Sequence, residues 1–535
     1  MGKDQKNNIT QDEEFLLTNK KSSTQRKTKK GAAKKREFPV FTVFCVVVGV
    51  LLTAFIVQSI LKNNGFYDRK KVVMTVGDTT INAVEFSYFY NQTANYYYTL
   101  YSQYGLIQES TDITTTQCSF DTTKTWAEWF MDSTVQELHQ TLCLYNEAVK
   151  NNIAVTDEMK SVKTERYEEI DALCEEYNIS RSQYFSTSYM NGFNEKDFER
   201  LLDIGLLAEE QREAVVDKYV YTDEQLEEYY EENKKTFDRY TYRSKAFSYT
   251  VYEEDSSKTE EENAEAKAAA EESKAAAEKS ADEFLASVTD SESFKVAAYE
   301  LLTEDQQKKQ DEEGTDPTLV TDATYSNNER GEWLADEARV EGDKTVIDDT
   351  DSKQYVVLYY ISAQRLEYDL VNLKHIMINI EDPETEDDAT DEEKEAAEQA
   401  AKEAAKSKAD EVYAKFVENG STEEAFSELV ADYTNDTNTV QTEGLLENVK
   451  KDTYGTEFDE WVFSSDRKSG DCTVIETASA YEVVYYLEKT VPCWEYDAEL
   501  GKKSDDWQAY IEEIEASYEE TYVYNQNNAE LSIKG

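Results

Sequence analysis

The sequence predicts an α+β multidomain chain with one transmembrane helix near its start, a helical domain beyond it, and two tandem copies of an α+β unit. Three observations carry this expectation: a charge-free apolar run over 38–61, a long stretch of helical periodicity after a short strand pair, and an internal repeat at a fixed offset.

Residues 1–37 carry eleven Lys and Arg against five acids, so this tail is +6 and the rest of a 535-residue chain of net charge −57 is −63. At about 1.5 Å rise per residue, a helix over 38–61 is long enough to cross a hydrocarbon core of roughly 30 Å. A cleavable signal peptide has a shorter apolar region, about 7–15 residues, and a small-residue cleavage site. Cys45 lies inside the run instead of at its end, which argues against lipid attachment. Only Lys62, Arg69, Lys70 and Lys71 follow the run closely, so the basic tail is assigned to the cytoplasm. The expectation is a single-pass cell-membrane protein with its N-terminus cytoplasmic and its ectodomain extracytoplasmic.

So acidic an ectodomain repels nucleic acid and anionic lipid and reads as a solvated surface, so no nucleic-acid partner is expected. Two histidines in the whole chain, His139 and His375, are too few for a His-built metal site or a Ser-His-Asp triad, and no Asp-x-Asp-x-Asp-Gly loop suggests calcium. No metal and no cofactor are expected. Beyond the span lie Cys118, Cys143, Cys174, Cys472 and Cys493, an odd count without a CxxC pair; this is a poor disulfide framework, and optional pairing stays open.

Residues 72–239 are assigned to a helical domain. It opens on a strand pair turning at Gly77-Asp78, after which Asn82 caps a helix. In that helix Phe86, Phe89, Tyr90, Tyr97, Leu100, Tyr101 and Tyr104 recur at three- and four-residue steps, giving an aromatic face directed at the core, with client contact through its outer rings as the alternative. Helices follow over 126–151, 156–177, 195–219 and 222–237, several preceded by capping residues. His139, flanked by Leu138 and Leu142, reads as structural.

The texture then changes. Residues 240–365 read as a strand (242–252), an Ala/Glu/Lys-rich helix (260–287), irregular acidic sequence and a closing strand at Tyr355-Val356-Val357-Leu358-Tyr359-Tyr360. Residues 366–491 repeat the order: a strand (373–380), an Ala/Glu/Lys-rich helix (392–419) and a closing strand at Tyr481-Glu482-Val483-Val484-Tyr485-Tyr486. Across 332–347 against 460–475, eight of sixteen positions are identical, including Trp333/Trp461, Arg339/Arg467 and Gly342-Asp343/Gly470-Asp471. Low complexity explains the Ala/Glu/Lys helices but not the Trp and Gly-Asp positions, so a tandem duplication is inferred. The C-terminal segment, 492–535, holds a helix over 504–522 with Trp507, Tyr510, Ile511 and Ile514 on one face, expected to complete the helical domain.

In the second unit five motifs stand in order: Lys374-His375-Ile376-Met377-Ile378; Ala425-Phe426-Ser427-Glu428-Leu429 with Asp432-Tyr433-Thr434-Asn435-Asp436; Gly444-Leu445-Leu446; Glu457-Phe458 through Phe463; and Gly470-Asp471 through Tyr486. In them the unit resembles the parvulin-type peptidyl-prolyl isomerases, and the order of elements resembles the SurA and PrsA type of extracytoplasmic foldase, with 72–239 in the place of its chaperone domain. The resemblance implies a membrane-anchored folding factor, isomerase and chaperone, whose partners are unfolded or newly exported polypeptides. It places Tyr454, Phe458 and Phe463 at the proline pocket, Asp436 at the acidic or Cys position, and His375 as the first of two facing histidines. Where the second is due, this sequence has Glu482, which offers His375 a carboxylate partner. Unit one has Ala246 at the position of His375 and is expected to be a degenerate copy. Two alternatives stand beside the isomerase: a catalytically inactive holdase with both units as scaffolds, and a surface adhesion or assembly protein using them as spacers.

Overall fold

The computed structural model describes residues 58, 62 and 64–534 except 109, 255, 258 and 384–389. Strands β1 (Val72–Val76) and β2 (Thr79–Asn82) form an antiparallel hairpin whose turn needs the left-handed Gly77, φ +56°. Asn82 then caps α1 (Ala83–Gln103) in a reciprocal capping box with Glu85. Helices α2 (Trp126–Lys150), α3 (Asp157–Glu176), α4 (Arg181–Ser188), α5 (Glu195–Val216) and α6 (Asp223–Phe237) follow, capped by Thr125, Thr156, Ser180, Asn194 and Thr222. Phe86, Phe130, Leu138, Phe185, Leu201 and Ile204 meet in one core, with a rim of Tyr97, Tyr101, Trp126 and Trp129 in edge and tilted ring contacts.

Unit one comprises β3 (Arg239–Ser248), α7 (Glu260–Ser287), α8 (Ser291–Glu300), α9 (Glu304–Glu313), β4 (Leu319–Ala323), α10 (Glu329–Leu334), β5 (Lys344–Asp349) and β6 (Gln354–Gln364). Helices α8 and α9 occupy the stretch read from sequence as irregular: capping boxes at Asp290 and Thr303 start them, and α9 is too polar to show an apolar stripe. Unit two comprises β7 (Asp369–Asn379), α11 (Asp391–Glu418), α12 (Glu423–Tyr433), β8 (Leu445–Val449), α13 (Thr456–Val462), β9 (Cys472–Glu476) and β10 (Ala480–Pro492).

The two sheets share one plan, antiparallel throughout: β4-β3-β6-β5 in unit one and β8-β7-β10-β9 in unit two. The repeated residues do the same work in each. Arg339 stacks over Trp333 at 4.3 Å and Arg467 over Trp461 at 4.5 Å. Gly342 and Gly470, both at positive φ, donate their N–H to the carbonyls of Tyr360 and Tyr486, which fixes the entry to the third strand of each unit.

After unit two, α14 (Cys493–Tyr518) starts directly behind Pro492, eleven residues before the start read from sequence; the ring of Pro492 presets the entry, and the helix runs on through Gly501, which packs against Tyr229 and Phe237. Ile511 and Ile514 enter the core of the helical domain, and β11 (Val523–Tyr524) pairs with β1. Arg365, between the units, is clamped at the root of this helix: it makes two 2.8 Å bonds to Glu227 and stacks over Trp494 at 4.3 Å and Tyr230 at 5.1 Å.

The transmembrane component of the expected fold class is corrected: among the described residues no helix is long and apolar enough to cross a membrane. The run 38–61, on which that expectation rested, lies outside the described residues save Gln58, as does the tail 1–37. What remains is an α+β multidomain chain. The five cysteines from Cys118 to Cys493 are free thiols, all but Cys472 buried.

Candidate active site

Side chains alternate across β7 and β10, so each face of the unit-two sheet has its own neighbours. Ile376, Ile378, Val483 and Tyr485 face α11 and α12. Leu373, Val484 and Tyr486 face α13 and its loop, in a layer with Phe458, Val462 and Ile475. His375 pairs in register with Val484 and so lies on this second face, diagonal to Glu482, which pairs with Met377.

Beyond Lys374 the strand β8 no longer covers the edge of β7, and the loop after α12 replaces it. Asn435 donates its N–H to the Met377 carbonyl at 2.7 Å, the side chains of Thr434 and Asn435 accept from the N–H groups of Met377 and Asn379, and His375 donates its N–H to the Gly444 carbonyl. Gly444 has φ +78°, and a Cβ there would stand 2.5 Å from the His375 carbonyl oxygen, so this close approach requires glycine. The motif Tyr433-Thr434-Asn435-Asp436 thus zips the loop along the strand and delivers Asp436 to the histidine.

The result is a buried relay. His375 Nδ1 lies 2.9 Å from Glu482 Oε2, and Nε2 lies 3.1 Å from Asp436 Oδ2 and 3.2 Å from Thr439 Oγ1. The side chains of His375 and Glu482 are 2% and 3% exposed, while Asp436 is 17% exposed and is the member of the three with an open surface. Burial pushes the Asp436 carboxyl up, but bonds from the Asn438 N–H, the Thr439 hydroxyl and His375 outweigh it and hold the group below the usual carboxylate range. Tyr454 stands over the relay, its ring centroid 6.4 Å from that of His375, and burial followed by the charges of Glu482 and Asp436 keeps its phenol protonated above the ordinary value.

The three residues assigned to the proline pocket separate. Tyr454 is half-buried beside His375, and Phe458 lies beneath it in a tilted ring contact at 4.6 Å but is only 1% exposed, so it supports the Tyr454 ring from the core. Phe463 shares the apolar layer yet turns its ring to Tyr368, 5.5 Å away. Sequence reasoning missed Thr439; the one signal for it is a hydroxyl residue three places after Asp436. Lys374, adjacent in sequence to His375, points through the opposite face to Ser427 and Glu443. Cys472 is held by burial at a thiol pKa of about 12. Among the described residues no cluster of His, Cys, Asp and Glu is set to hold a metal ion.

Unit one has the same register without the chemistry. Ala246 pairs with Val356 as His375 pairs with Val484, and Gln354 stands at the place of Glu482.

Residues 375–488 match the rotamase family described as the PPIC-type PPIase domain. No curated protein matches this chain. Among solved structures, the peptidylprolyl isomerase PrsA from Bacillus anthracis is 13% identical, with a TM-score of 0.17, over 29% of this chain and 61% of that one. PrsA from Bacillus cereus is 12% identical, with a TM-score of 0.17, over 65% of this chain and 95% of that one. Likeness at that level carries no argument about this molecule. The second unit is similar, over residues 375–488, to the PPIC-type, or parvulin-type, peptidyl-prolyl isomerase domain.

Proposed function

We propose that unit two isomerises X-Pro bonds in extended polypeptide, and that the chain serves as a folding factor for newly exported polypeptides outside the cytoplasm. The observation that carries this reading is the relay Glu482–His375–Asp436 ending beside the Tyr454 ring. Isomerisation breaks no bond; its barrier of about 18–20 kcal/mol is the loss of amide resonance in the twisted state. A catalyst therefore needs an apolar seat for the proline ring and fixed polar groups matched to the twisted amide. Tyr454 supplies the ring and a protonated hydroxyl donor, and Asp436 supplies a carboxylate whose direction is fixed by the buried histidine behind it.

A cleft of about 520 Å³ in the helical domain, lined by Tyr88, Phe89, Leu138 and Leu201 on one hand and by Glu137, Arg166 and Glu169 on the other, supports the chaperone part of the reading. A mixed lining of this kind offers both apolar contact and hydrogen bonds to an unfolded segment. The second reading, a binding-only holdase, is favoured by the burial of Phe458, which leaves Tyr454 as the ring beside His375 with open surface.

An NMR exchange measurement on a short X-Pro peptide, with the full chain and its His375→Ala variant, separates the two. Acceleration lost in the variant supports the isomerase. No acceleration by the wild-type chain leaves the holdase, which suppression of a model client's aggregation then tests.

A further inference from the structure

The Nε2 edge of His375 has two partners where one would satisfy it. Asp436 Oδ2 is at 3.1 Å and Thr439 Oγ1 at 3.2 Å, and the Thr439 hydroxyl is also 3.3 Å from the Asp436 main-chain carbonyl. These partners differ in kind. The Asp436 side chain is partly exposed; that of Thr439 is buried, 7% exposed, and its carbonyl is tied to the Gly444 N–H at 2.8 Å. An ionised carboxylate accepts hydrogen bonds only, whereas a hydroxyl donates or accepts by turning about its C–O bond.

The isomerase reading asks Asp436 to meet substrate, and a carboxylate that turns outward leaves the ring. With Asp436 in place His375 is 2% exposed, so its Nε2 edge depends on the protein groups around it. A buried N–H without an acceptor is costly, and that cost would be added to every encounter in which Asp436 engages a peptide. Thr439 is already within reach of the same nitrogen. With Nε2 protonated, its oxygen accepts while its own hydrogen goes to the Asp436 carbonyl; with Nε2 bare, the hydroxyl turns and donates.

We propose that Thr439 is a positioning residue that holds the Nε2 edge of His375 when Asp436 turns toward substrate. The inference rests on the isomerase reading of unit two. The ionisable groups that face the ring from the elements around it are Glu482 on β10, Asp436 on the loop after α12, and Tyr454 on the loop before α13. Thr439 is the neutral member of that shell, which lets it serve the ring in either protonation state. Unit one, with Ala246 at the histidine position, has no ring to serve.

Thr439→Val keeps the branched shape and the bond from the Gly444 N–H, and removes the hydroxyl alone; Thr439→Ser keeps the hydroxyl. In the full chain, Thr439→Val is expected to lower kcat/KM on an X-Pro peptide about fivefold, the size of one hydrogen bond, with Thr439→Ser close to wild type. A structural readout runs alongside. The chain has two histidines, so 15N-histidine labelling gives two ring spectra, and His139→Gln identifies that of His375. In an Asp436→Ala background the Nε2 resonance should stay near its wild-type position, held by Thr439, and should move when Thr439→Val is added.

Equal kcat/KM for the Val and Ser variants overturns the proposal. So does an Nε2 resonance in Asp436→Ala that is indifferent to Thr439→Val. If the wild-type chain accelerates no peptide, the isomerase reading fails and the NMR arm alone decides whether Thr439 holds the ring.

Discussion

Replacing Glu482 by Ala tests how the relay is held. The Glu482 side chain is 3% exposed and its Oε2 is 2.9 Å from His375 Nδ1. Removing the buried carboxylate leaves the Nδ1 edge of His375 unpaired, which costs about 3 kcal/mol or somewhat more because the lost partner is charged. Here the ring keeps Asp436 at 3.1 Å and Thr439 at 3.2 Å on its far edge, so part of that loss is retained in other bonds. The expected local destabilisation is about 2–3 kcal/mol for Glu482→Ala. Glu482→Gln keeps the shape and one acceptor oxygen, exchanging a charge-assisted bond for a neutral one, and should cost about 1 kcal/mol. The assay is amide hydrogen exchange of β7 and β10, which reads the opening free energy of that sheet without unfolding the rest. The β3–β6 sheet of unit one serves as the internal reference, since distant independent sites do not couple. Both variants within about 0.5 kcal/mol of wild type in β7 and β10 would refute the reasoning, because that is the range of substitutions that touch nothing.

Three further outcomes are expected. Asp436 has a folded pKa below its unfolded value, so its contribution to stability is fully present above about pH 3.9 and is lost as pH falls through the folded value. Asp436→Asn should remove this acid limb from the exchange protection of β7; an unchanged limb would show that the carboxylate is not held. Arg365→Ala should loosen the root of α14 by about 2 kcal/mol, seen as faster amide exchange in α6 and the first turns of α14. Arg365→Lys should not restore it, because an ammonium lacks the planar guanidinium that stacks on Trp494 while its Nη1 bonds Glu227 and its Nε bonds Glu367. With Cys472 at about 12 and Cys118, Cys143, Cys174 and Cys493 buried, a thiol reagent at neutral pH should leave these five unlabelled in the native chain and label them after denaturation, read by peptide mass spectrometry. Labelling of native Cys472, the half-buried one of the five, would contradict the raised pKa of its thiol.

Much of unit two was legible because its motifs are the parts that touch. Thr434 and Asn435 bond the edge of β7, Gly444 is required by the His375 carbonyl, and the Trp–Arg stack with the Gly–Asp turn recurs in both units because each holds its third strand in place. Residues whose role depends on a distant neighbour were not legible. Phe463 fits the pocket motif by spacing, yet its ring goes to Tyr368, nearly a hundred residues upstream. Phe458 carries the same aromatic signal whether it lines a pocket or supports its wall, and burial decides for the wall. Helix α9 hides in acidic sequence, because capping and long polar side chains build it without any apolar stripe, and α8 shows only the short apolar face of Phe294 and Ala298. Glu482, by contrast, was read from sequence as a carboxylate partner for His375, and in the fold its Oε2 lies 2.9 Å from His375 Nδ1.

The central claim is that the buried relay makes unit two an isomerase, and the most direct test is the exchange rate of a short X-Pro peptide measured by NMR with the full chain and with His375→Ala. The account predicts acceleration by the wild-type chain and its loss in the variant. No acceleration by the wild-type chain, or equal acceleration by both, would contradict it.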